Sequence, residues 1–132
     1  MYTEIASNPD DESDVTIVNV MGRLLDFYEY ADCVFVGGTL VDHGGQNFLE
    51  PAVFNKPIIA GKSTYNFEEI SKKLSDLGLL RFISDKDEIT SAIENMEAVS
   101  ESSKHDVNQW LTENRGASDL ISRKICEKFN LI

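Results

Sequence analysis

The chain has 132 residues, 42% of them hydrophobic, with 23 acids against 12 bases and a formal net charge of -11. That length and apolar fraction fit one globular domain rather than a disordered chain. The acidic balance argues against nucleic acid as a partner and supplies no polybasic anchor for an anionic membrane. No apolar run approaches the ~20 residues needed to span a bilayer, and the acidic, polar start MYTEIASNPDDESD lacks a signal-peptide pattern.

The first fourteen residues hold five acids and no base, which reads as a solvated end. Val15 to Asn19 is β-branched and predicts a strand. Met21-Gly22 punctuates it, and Leu24, Leu25, Tyr28 and Ala31 recur at helical spacing. Cys33 to Val36 is apolar without alternation, the pattern of a strand buried on both faces of a parallel sheet. A glycine-rich loop follows. Asn47 is placed to cap a helix through Leu49, Val53 and Phe54, with Glu50 and Pro51 in its first turn and Asn55 as terminator. Pro57 to Ala60 predicts another buried strand.

Asn66 is a second N-cap candidate, ahead of an apolar stripe at Phe67, Ile70, Leu74 and Leu77. Leu80 to Ile83 predicts a fourth strand, and Asp85 is expected to cap a helix through Ile89, Ile93 and Met96. The polar run SESSKHD reads as a linker containing a surface His105. Two helical segments close the chain, one with Val107, Trp110 and Leu111, the other with Leu120, Ile121, Ile125, Phe129 and Leu131. Trp110 is expected on a helix docking face. The two cysteines, Cys33 and Cys126, lack CxxC spacing and read as separate reduced thiols rather than a disulfide or metal pair.

Strands alternating with helices predict an α/β layered fold with a mostly parallel sheet, as a single unit over residues 1–132. Four strands make a thin sheet, so the chain is expected to be part of a larger domain. In such a sheet ligands bind beyond the carboxyl ends of the strands. The loop from Gly37 to Gln46 leaves such an end. Its glycines (Gly37, Gly38, Gly44 and Gly45) permit close backbone approach, and a helix N-terminus at Asn47 suits a phosphate or carboxylate. Glu50 would repel an anion, but a fixed carboxylate accepts hydrogen bonds from two neighbouring hydroxyls, as on a ribose. Together these residues describe a nucleotide pocket. The competing readings are a tight turn for the glycines and a dipole partner for Glu50.

Taken in order, MG, FVGGTLVDHGGQNFLEP, NKPIIAG, NF and NRGA resemble the C-terminal half of the 3-deoxy-D-manno-octulosonic acid (Kdo) transferases of lipopolysaccharide synthesis. The resemblance runs from about Val15 to the C-terminus. It implies a Rossmann-like three-layer lobe, one half of a two-lobed GT-B glycosyltransferase. The donor would be CMP-Kdo, the acceptor a lipid A precursor held by the other lobe. Transfer would invert configuration, with no metal or other cofactor, at the cytoplasmic side of the bacterial inner membrane. Met21 and Gly22 would lie against the cytosine and ribose. Gly37 and Gly38 match the motif, Asn47 would contact nucleotide or phosphate, Glu50 would accept the ribose hydroxyls, and Gly44 and Gly45 would let the loop reach the donor. Arg23 stands where the family often has Glu, and Gly61-Lys62 where it usually has Gly-Pro. The family's N-terminal lobe and catalytic carboxylate have no counterpart in this sequence, so no catalytic residue is assigned. The chain is expected to be inactive alone.

His43 and Arg115 are further phosphate candidates, with surface roles as the alternative. Apolar Phe129, Leu131 and Ile132 at the terminus predict self-association. Two other functions compete: a lobe of a sugar-nucleotide epimerase, disfavoured because GGQNFLEP carries one acid and then proline, and a non-catalytic interaction fragment.

Overall fold

The computed structural model describes residues 17–18 and 21–114. Chain order is α1 (Leu24–Tyr30), β1 (Val34–Val36), α2 (Leu49–Val53), β2 (Ile58–Ala60), α3 (Glu68–Asp76), β3 (Leu80–Phe82), α4 (Glu88–Glu94) and α5 (Glu101–Glu113). The three strands form a parallel sheet in the order β1-β2-β3. Val34 pairs with Ile58 and Ile58 with Leu80, so all three chains leave the sheet at one edge. The α/β class and parallel sheet expected from the alternation are present. The strand expected at Val15 to Asn19 lies outside the described residues except for Ile17 and Val18, which carry no strand. The closing helix, Cys126, Arg115 and the apolar C-terminus also lie outside them.

Alternate residues of β2 enter two cores, as the pleat requires. Ile58 and Ala60 join Phe48 and Ala52 near α2, Leu74 of α3 and Val107 of α5. Ile59 faces the other way, with Ile83 and Ala92 of α4. The sheet is therefore a middle layer, with α2, α3 and α5 on one face and α4 on the other. Trp110 and Leu111 pack against the first core, which is the docking role expected of them. Every residue of β2 is buried, matching an apolar strand covered on both faces. The same expectation fails for Cys33 to Val36. Phe35 is 40% exposed, because β1 is the edge strand of the described sheet. Cys33 precedes β1 and is half-buried; burial, then the neighbouring Asp32, pushes its thiol pKa up, away from the reactive thiolate.

Beyond β2, helix starts differ from expectation in three places. The helix after Asn66 begins at Glu68 with no side-chain cap; the Asn66 amide instead donates to the His43 carbonyl at 3.3 Å. Asp85 does not cap α4, whose N-cap position is Asp87; the Asp85 carboxylate accepts from the Asp87 N–H at 2.8 Å, closing the turn ahead of the helix. The SESSKHD run is not a linker. Ser100 accepts from the Ser103 N–H at 3.1 Å, and that cap starts α5, placing an exposed His105 on a helix. The polar composition is the solvent face of a helix that buries only Val107 fully. Asn55 has a φ of 52° just after α2, as its terminator role implies.

Among the described residues, exposed apolar side chains gather on and before α1; the C-terminal residues from which self-association was expected lie outside them. Met21, Leu24, Leu25, Phe27 and Tyr30 are all exposed, and α1 buries no residue. It leans on α2 through Tyr28 and Phe54, whose ring centroids are 6.3 Å apart. No helix among the described residues is long and apolar enough to cross a membrane.

Thr39 joins the exits of β1 and β2. Its buried hydroxyl donates to the Val36 carbonyl at 2.6 Å and accepts from the Gly61 N–H at 2.8 Å, while its carbonyl accepts from the Ser63 N–H at 2.9 Å. The contact needs a glycine at 61. A Cβ there would lie 2.5 Å from the Thr39 carbonyl carbon and 2.7 Å from the Leu40 nitrogen. Thr39→Val keeps the shape but strands the Gly61 N–H, and should cost about 2 kcal/mol in chemical denaturation. Gly61→Ala forces backbone against backbone and should cost about 3 kcal/mol. A Thr39→Val protein with an unchanged midpoint would show that the hydroxyl does not bind the two exits together.

Candidate functional site

The loop after β1 folds back on itself at the carboxyl edge of the sheet. The Gly45 N–H donates to the Gly38 carbonyl at 3.1 Å, closing the loop, and the Gly44 N–H donates to the Ser63 hydroxyl at 3.2 Å. Gly44 and Gly45 are buried, with φ of 84° and 78°. That left-handed backbone is open to glycine and costly for other residues. A Cβ on Gly44 would strike the Tyr65 ring at 2.7 Å, and one on Gly45 would lie 2.9 Å from a Thr39 methyl. Both amides are used inside the protein, so this pair shapes the loop rather than donating outward. Gly37 is exposed and Gly38 half-buried, with His43 lying over Gly38.

The loop delivers the chain into α2. Asn47 was expected to cap α2, but the N-cap position is Phe48, without a side-chain cap; the Asn47 side-chain oxygen instead accepts from the Leu49 N–H at 2.9 Å and closes the turn that enters the helix. Its amide nitrogen donates to Glu50 Oε1 at 3.1 Å. One asparagine thus closes the entry turn and holds the carboxylate. Pro51 is buried in the first turn, where its missing N–H removes nothing from the helix. Phe48, fully buried, stacks edge-on against Phe67 with centroids 5.9 Å apart and anchors the turn from below. Because α2 has five residues, its dipole is smaller than that of a long helix, and the fixed groups matter more.

Glu50 is half-buried, and its Oε2 takes no hydrogen bond from the described residues. Such a carboxylate has one oxygen pinned and lone pairs left for hydroxyl donors. Tyr28 of α1 stands near it. Burial first, and then the Glu50 charge, push the Tyr28 phenol pKa up, so it stays a neutral hydroxyl at ordinary pH.

Of the residues proposed from sequence, the structure brings Gly38, Gly44, Gly45, Asn47 and Glu50 into one loop-and-turn unit. Gly37 enters it from β1. Met21 and Gly22 lie on the turn before α1, and the Met21 side chain is 92% exposed. The structure does not bring them into that unit; the helix that follows them, α1, packs on α2. Arg23 pairs with Asp26 at 2.6 Å on the surface, a contact of little energetic weight. Thr39, Ser63, Tyr28 and Tyr65 were missed from sequence. Thr39 had a signal, as a hydroxyl directly after a strand-exit glycine pair; the others are set by contacts distant in the chain.

No protein-family model matches the chain. It is 41% identical over 113 residues to a 3-deoxy-D-manno-octulosonic acid transferase from Haemophilus influenzae, a match covering 83% of this chain and 26% of that protein. It is 35% identical over 132 residues to a bifunctional glycosyltransferase/methyltransferase from Fusobacterium nucleatum, covering 99% of this chain and 20% of that protein. The chain therefore spans about a quarter or less of the length of these relatives. Among solved structures it is similar to the C-terminal CMP-Kdo binding domain of WaaA from Acinetobacter baumannii. That match has a TM-score of 0.61 and 29% identity, and covers 70% of this chain and 51% of the other.

The position of Glu50 can be read through Tyr28. In Glu50→Gln the Tyr28 pKa should fall part of the way toward the ordinary value near 10, since burial remains, as followed by NMR of ring-labelled tyrosine. The folded state keeps this proton where the unfolded chain has released it. The contribution to stability is therefore full below pH about 10 and declines as pH climbs through the folded value. A Tyr28 titration identical in the two proteins would separate Glu50 from α1.

Proposed function

Because this chain belongs with the 3-deoxy-D-manno-octulosonic acid transferases, as a piece matching their C-terminal domain, we propose that it forms the donor-binding part of a glycosyltransferase. The reaction is transfer of Kdo from CMP-Kdo to a lipid A precursor. The observation that carries the reading is Glu50, held by Asn47 in the first turn of α2 at the exit of β1, with one carboxylate oxygen left for a ligand. The match to a CMP-Kdo binding domain supports it.

In this reading Glu50 accepts the two ribose hydroxyls of the cytidine nucleotide. Asn47 keeps the carboxylate in place when the site is empty, which lowers the ordering cost of binding. Gly37 and Gly38, without side chains, let the phosphate approach the backbone at the strand exit. Met21 and Gly22 lie against the base, the exposed Met21 thioether offering a soft apolar surface. Gly44, Gly45 and Thr39 hold the loop's shape. No cofactor is used, and CMP is the leaving group. The acceptor and the carboxylate that activates it come from the other lobe of the enzyme, at the cytoplasmic face of the inner membrane. The chain alone binds donor and does not transfer sugar.

Calorimetric titration with CMP and UMP tests the assignment. CMP should bind in preference to UMP, and Glu50→Ala should weaken CMP by about tenfold or more, the worth of one or two charge-assisted hydrogen bonds. Preference for the uridine nucleotide would favour an epimerase-like lobe. A folded protein that binds neither would favour a non-catalytic interaction module.

A further inference from the structure

A second recess lies on the same edge of the sheet, past the ends of β2 and β3. It has a volume of about 290 Å³ and is lined by Lys62, Thr64, Glu68, Ser71, Lys72 and Phe82. That is near the lower end of the range for small-ligand sites, about 300–1,000 Å³. The segment carrying Lys62 and Thr64 is tied to the glycine loop at three points: Gly61 and Ser63 to Thr39, and Gly44 to Ser63. Neighbouring strands are about 4.8 Å apart, so the recess begins roughly 5–10 Å along the edge from the exit of β1. This is the span of a phosphodiester link and part of a sugar ring.

The lining has a definite chemistry. Lys62 and Lys72 join none of the ion pairs among the described residues. They set two ammonium groups against the single carboxylate of Glu68. Thr64 and Ser71 are buried at 6% and 1% exposure. The Ser71 hydroxyl has two acceptors within reach, Thr64 Oγ1 at 3.1 Å and the Glu68 carbonyl at 3.1 Å, while the Thr64 hydroxyl proton has no acceptor among the described residues. A hydroxyl donor is therefore left among the residues that line the recess with the two lysines. A bare phosphate dianion fits poorly beside Glu68. A monoanionic carboxylate on a polyhydroxylated ring fits better: the lysines and Thr64 donate to the carboxylate, and Glu68 accepts from ring hydroxyls.

Resting on the donor-binding reading above, we infer that this recess receives the acidic sugar of the donor, with Lys62 and Lys72 binding its carboxylate. Lys62 stands where the resembled family usually has proline, so this contact is particular to this chain's own sequence.

Amide NMR of the 132-residue chain tests the inference with three probes: free Kdo, its neutral carboxamide, and inorganic phosphate. Kdo should shift the Thr64 and Ser71 amides, and Lys62→Gln with Lys72→Gln should weaken that response by about tenfold. The carboxamide and phosphate should give a markedly smaller response at equal concentration. Both lysines are exposed, so the double variant should retain the fold, as checked by its unchanged spectrum elsewhere. No shift with Kdo, an equal response to phosphate or the carboxamide, or an unaffected double variant would each overturn the inference. CMP is titrated separately and read at Asn47 and Gly38. Loss of that response would overturn the nucleotide reading while leaving the Kdo result interpretable.

Discussion

The geometry of this edge depends on one buried hydroxyl. Thr39 sits where β1 ends, and its Oγ1 both donates to Val36 and accepts from Gly61. Two strand exits that would otherwise be independent loops are thereby locked together. A neutral hydrogen bond adds only about 1 kcal/mol net, but a buried N–H left without a partner costs more, so the tie is held chiefly by the penalty for breaking it. Gly61 permits it because any side chain there would meet the Thr39 backbone. From this tie the glycine loop takes its path, closed by Gly45 on Gly38 and by Gly44 on Ser63.

The charge arrangement follows from the same scaffold. A chain of net charge -11 has no general attraction for a nucleotide anion, so affinity must come from fixed local groups. The loop has bare backbone at Gly37 and Gly38, and Asn47 holds one oxygen of the Glu50 carboxylate in place. Lys62 and Lys72 supply positive charge on the neighbouring recess. Acid and base are separated along the sheet edge, which suits a ligand with hydroxyls at one end and a negative group further along.

One flank of this unit is apolar and exposed. Phe35 on the β1 edge strand and the apolar side chains of α1 remain exposed, whereas the central strand β2 is covered on both faces. Contiguous apolar exposure of this kind is a feature of interaction surfaces. The same helix α1 carries Tyr28 close enough to Glu50 for the carboxylate charge to raise the phenol pKa.

Much of this was legible in the chain itself. The runs Cys33 to Val36, Pro57 to Ala60 and Leu80 to Ile83 each marked a strand, and the fully apolar core of the second matched burial on both faces, whereas the first and third lie at the sheet's edges. The motif around GGQNFLEP marked Gly44, Gly45, Asn47 and Glu50, since left-handed backbone, an Asn-closed turn and an early proline each restrict residue type locally. Tertiary structure decided what local rules leave open. Asn66 caps in isolation but here clips the His43 carbonyl, because a side-chain amide bonds whichever partner the fold brings near. SESSKHD reads as a linker until Ser100 starts a helix whose apolar face finds a core. The Thr39–Gly61 tie, the Tyr28–Glu50 coupling and the Lys62–Lys72 recess join residues far apart in sequence, and no periodicity records which of them will meet.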